Sequence, residues 1–175
     1  MPPPLEPIEQ GDDDGRYDSD IEDLTQRLRA LNLFAVRALS SDQLNALTSD
    51  QVPTLSVLQV GALTTAQLSK WETADIQALT TDQFKVMSSA QVGALTSEQL
   101  AAIETEDVRQ ITTAAIRGIT SDNIDAFTSD QIKALGTAQV QSLSTQQLKG
   151  LSSEQIAAME TEDLRALSTD RKSTR

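Results

Sequence analysis

The side chains of this chain that could do polar chemistry are hydroxyls, carboxamides and carboxylates; it contains no His and no Cys. That removes the commonest general base and zinc ligand, and any disulfide or thiolate metal site. Carboxylates recur in one spacing: Glu72 with Asp75, Glu104 with Asp107, and Glu160 with Asp163. Such pairs could share a proton in acid–base catalysis or hold calcium. One Glu and one Asp, however, supply far fewer oxygens than the roughly six to eight that calcium takes. The stretch DDDGRYDSD, residues 12–20, is as acidic as a calcium loop but has neither the regular ligand spacing nor the closing Glu. Ser and Thr are plentiful, yet no base accompanies them to activate a nucleophile. The expectation is a chain with no catalytic, cofactor-binding or metal-binding residues, and not an enzyme.

The hydroxyls and carboxamides belong to a repeat. From Leu39 to Ala166 the chain divides without a gap into sixteen octads, the first LSSDQLNA and the last METEDLRA. The consensus is L-[ST]-[ST]-x-Q-[VIL]-x-A. Position 1 is always apolar, with Trp71 and Phe127 among Leu, Ile and Met. Position 6 is always Leu, Val, Ile or Phe, and position 3 is Ser or Thr except at Val57. Position 5 is Gln in eleven octads. Self-similarity this regular marks a stacked repeat architecture.

A single long helix does not fit it. Eight residues make about 2.2 helical turns, so an apolar stripe would slip by roughly 80° per octad. A strand does not fit either, because positions 1 and 6 would face opposite sides of a sheet. A helix start does fit. Ser or Thr at position 2 with Gln at position 5 is a capping box, and positions 1 and 6 are the hydrophobic staple that flanks it. Acids at position 4, such as Asp50, Asp82 and Glu98, sit where the helix dipole favours them. Helices this short are marginal alone, so each must stack on its neighbours. On this reading Gln99→Ala costs about 0.5–2 kcal/mol as a lost cap, and Leu100→Ala about 2–5 kcal/mol as a lost core residue.

The octads bearing Glu and Asp lack the hydroxyl at position 2. There Thr73, Thr105 and Thr161 are expected to take over as N-caps, shifting the helix start by one residue. These are octads 5, 9 and 16, a series with no short period, so the number of octads per coil is not visible. Pro53 is expected at a corner or helix end, and Trp71 in the core.

The predicted fold is all-α: a solenoid of very short stacked helices, one per octad, with a longer N-terminal capping helix. Residues 1–20 read as a disordered acidic tail, since residues 1–23 hold nine acids and one base. Residues 21–38 read as an amphipathic capping helix, residues 39–169 as the octad solenoid, and residues 170–175 as a basic tail. Arg27, Arg29 and Arg37 are placed to face water.

The runs LTTDQFKVM, LTSEQLAAI and LSSEQIAAM resemble the short helical repeats of very large bacterial surface and secreted proteins, often described as adhesion or haem-utilisation proteins. The resemblance implies a structural or adhesive element. It implies no haem site here, because His and Cys are missing and Met87 and Met159 occupy repeat core positions. With a net charge of −12 and five aromatic residues, the chain is not expected to bind nucleic acid. Membrane insertion is not expected either. The start has no basic, then apolar, leader. The expected location is therefore secreted or cell-surface by another route, with the cytoplasm left open. The expected partner is another copy, stacked head to tail with acidic end on basic end, or else another protein bound as by a secreted effector or scaffold.

Overall fold

The computed structural model describes residues 25–170; the expected tail at 1–20, and all but the first residue of that expected at 170–175, lie outside them. Within that span every octad contributes one short helical segment and no strand occurs. The typical unit has two extended residues followed by six helical ones. In the eighth octad, Thr96 is an extended N-cap at φ −73°, ψ 166°, the helix runs Ser97–Ala102, and Ile103 is extended again at the C-cap. The apolar side chain at position 1 thus begins each corner, and position 6 sits one helical turn beyond it.

The coil repeats every three octads. Helices Thr73–Ala78 and Ser97–Ala102 pack together, as do Val57–Ala62 with Thr81–Val86 and Ser129–Ala134 with Ser153–Ala158. Positions 1 and 6 point inward and form one continuous core along the array. Leu44, Phe84, Leu100 and Ile132 are fully buried. Toward the last coil the cover thins: Leu148 and Ile156 are partly buried, and Leu164 is exposed.

Small residues let successive coils touch. A Cβ on Gly93 would collide with the backbone of Gly118, and one on Gly118 with the carbonyl of Ser89. A Cβ on Gly150 would collide with the carbonyl of Ser121. Each of these glycines stands where two backbones meet.

Three expectations change. The capping helix expected over 21–38 is not one helix. The chain is helical over 25–30, breaks at Leu31 and Asn32, and starts again as Leu33–Ala38. The cause is the repeat frame itself: Asn32 caps Ala35, and Val36 fills the core as a position 6 residue. The unit Leu31–Ala38 is therefore an octad without the consensus Gln. Pro53 stands in the first turn of a short 3₁₀ helix, Val52–Thr54, a helix end as expected. Lacking an N–H, it cannot donate the α-helical bond.

The Glu/Asp octads keep the ordinary frame. Glu72 and Glu104 are the N-caps, at the same extended backbone angles, and Thr73 and Thr105 are the first helical residues. At the other end the final helix runs Thr161–Asp170, through the octad boundary at Leu167 and into the first residue of the expected tail. A seventeenth helix start would need an apolar staple, and Lys172 stands in that position.

Candidate functional site

Position 5 is where the polar chemistry of the chain concentrates. Gln99 shows the pattern. Its Oε1 accepts from the Thr96 N–H at 2.8 Å, while the Thr96 hydroxyl accepts from the Gln99 N–H at 3.3 Å. Its Nε2 donates to the carbonyls of Leu68 at 2.8 Å and Trp71 at 2.7 Å, 31 and 28 residues earlier. Those two carbonyls close a helix in the preceding coil. One carboxamide therefore caps the start of its own helix and the end of another.

The same pair of bonds recurs for Gln59, Gln67, Gln83, Gln91, Gln131, Gln139 and Gln147. Gln155 reaches Asp125 and Phe127 instead. All these glutamines are buried. The acceptor oxygen is fixed by the N-cap N–H, so the two-proton amide nitrogen must face the carbonyls. At Gly136 no hydroxyl exists, and only the half of the box supplied by Gln139 remains. Weaker ties run the other way from position 7: Arg37 Nε donates to Ala62, Asn45 Nδ2 to Lys70, and Arg117 Nε to Ser142.

The carboxylate pairs do not come together as sites. Glu72, Glu104 and Glu160 face water, whereas Asp75, Asp107 and Asp163 are buried at position 5. Among the described residues no three acids gather where they could hold a metal ion. Asp75 is 5% exposed, and its Oδ2 is buried without a partner. A carboxylate there can accept from the Glu72 N–H but has no proton for a carbonyl. Burial pushes its pKa up, against the lowering effect of that Glu72 bond. Burial likewise raises Asp107, where a bond from Thr81 pulls the other way. Nearby, Trp71 Nε1 and Asn45 Oδ1 are also buried without partners. Asn123, one methylene shorter than Gln, keeps one bond to the preceding coil, to Leu95 at 3.2 Å.

A second feature was missed in the sequence. Leu33, Phe34, Val57, Leu58 and Val86 line one groove of about 520 Å³. Phe34 is 87% exposed and Leu58 69%. The available signal was departure from consensus. Val57 replaces the position 3 hydroxyl, Leu58 an acid or small residue at position 4, and Val86 the small residue at position 8. The groove runs across coils, so its residues lie far apart in the sequence. Leu33 and Phe34 meet Val57 and Leu58 only through the three-octad stacking.

No helix among the described residues is long and apolar enough to cross a membrane. A family model described as the ALTTAQ repeat matches residues 25–57, 68–102, 100–137 and 132–161, well over half of the chain. No curated protein and no solved structure matches.

Proposed function

The chain belongs to the ALTTAQ repeat family, and we propose that it is a non-enzymatic structural or adhesive element of a bacterial surface or secreted assembly. The observation that supports this reading is the use of its polar groups. Hydroxyls cap helices and carboxamides bridge coils, so the residues that could serve catalysis are engaged in holding the array together. Such a chain acts by spacing and presenting surface rather than by turnover. Its location is tested by treating intact cells of the host bacterium with protease. The reading expects degradation without lysis; a chain degraded only after lysis would contradict it.

Stacking of coil on coil also offers a route to assembly. The last described coil leaves Leu164 exposed, and a sequence acidic toward its start and basic toward its finish favours head-to-tail contact, which builds open chains. Light scattering should show mass rising with protein concentration and falling with salt. A constant monomer mass at high concentration and low salt would contradict assembly. The second reading is a protein-binding module, and the apolar groove at Phe34 and Leu58 favours it, since contiguous exposed apolar surface marks interaction sites.

A further inference from the structure

We propose that the groove at Phe34 and Leu58 is covered by the chain's own N-terminal segment, anchored by Leu5 and Ile8. Five of the six large apolar side chains exposed among the described residues converge there, and all five stand where the octad frame otherwise carries a hydroxyl, a polar or a small residue. A repeat keeps its exposed positions polar or small unless something covers them. Two groups of occupants differ in size. A stable dimer interface takes about 20–30 residues a side, whereas eight residues line this groove. The groove matches a short segment with two or three apolar anchors.

The segment MPPPLEPIEQ supplies such anchors. Leu5 and Ile8 are the only branched apolar residues before Ile21. Four prolines around them reduce the entropy lost on docking. Charge agrees: Arg37 is the one charged residue lining the groove, and residues 1–23 carry nine acids against one base. Reach is not limiting. Ile8 is 25 residues before Leu33 in the chain. The 17 links from Ile8 to residue 25 can span up to about 55–60 Å. A tether of this kind presents its anchors at a local concentration of the order of millimolar, which a free peptide of equal affinity would not match. This inference stands apart from the structural and assembly roles above.

The chain has no Cys, so one introduced pair reports the contact. Glu6→Cys with Gly61→Cys places one thiol between the anchors and one in the groove, where an added Cβ on Gly61 meets no atom within 4 Å. Under mild oxidation at low protein concentration, an intramolecular disulfide should form at least about ten-fold faster than in the same pair carrying Leu5→Ser and Ile8→Ser. The serine variant keeps the tether length and charge. Equal rates would overturn the proposal, and so would disulfide-linked dimers as the main product, which would put a second copy in the groove. In the cysteine-free full chain, Leu5→Ser with Ile8→Ser should raise binding of an apolar fluorescent dye several-fold. Unchanged dye binding would overturn it as well.

Discussion

At Gln99 one side chain makes bonds to Thr96, Leu68 and Trp71; removing it strands the buried Trp71 carbonyl and takes one of two donors from the Leu68 carbonyl, which keeps the Trp71 N–H. Each net bond contributes about 1 kcal/mol, and each orphaned group costs about 1–3 kcal/mol. Gln99→Ala should therefore cost about 2–4 kcal/mol in urea denaturation, above the cap-only range and level with Leu100→Ala. Asp75 gives the converse test. Its folded pKa is raised by burial, so at a pH between the unfolded and folded values the folded chain holds a proton that the unfolded chain has released. Stability then falls as pH rises from the ordinary Asp range through the raised folded value, and returns on acidification. Asp75→Gln should add about 1–2 kcal/mol at pH 7 by supplying the missing donor and should flatten that pH dependence. The capping half of position 5 was legible in the sequence, because box and staple are local patterns. The bridging half was hidden in one statistic. A capping box accepts Glu as readily as Gln, yet position 5 has eleven Gln and no Glu, and only Gln brings a donor.

Each element is a helix of about six residues that ends because the next one begins. That rule also explains where it fails. Asn32 starts an unannounced unit because Leu31 and Val36 supply a staple, and Ser168 starts none because Lys172 does not. Glycines divide by position rather than by helix propensity. Gly118→Ala should destabilise by several kcal/mol, since its Cβ would enter the Ser89 backbone. Gly61→Ala should stabilise by about 0.5–1 kcal/mol, because that mid-helix position is open. Thermal melts of the two variants should move in opposite directions; a common direction would mean that the coils do not meet at Gly118. Element length and start points were readable from the octad. Coil contacts were not, because they join residues 24 to 31 apart and every octad looks alike to its neighbours.

The whole array is held by the same amide repeated along it, three octads to a coil. Among the described residues the helices that pack most closely belong to adjacent coils, so stability adds from neighbour to neighbour and the ends are the weakest part. Burial already thins at Leu148, Ile156 and Leu164. A defect at Gln155 should therefore cost less than the same defect at Gln99. The measurement that tests the bridging role most directly is the stability of Gln99→Glu as a function of pH. Glu can complete the capping box but, ionised, cannot donate to Leu68 and Trp71. A bridge predicts a loss of about 3–5 kcal/mol at pH 7, recovering as acidification protonates the carboxyl and restores a donor. A variant as stable as the parent at pH 7 would show that position 5 serves only as a cap, and that the coils are held together by apolar contacts alone.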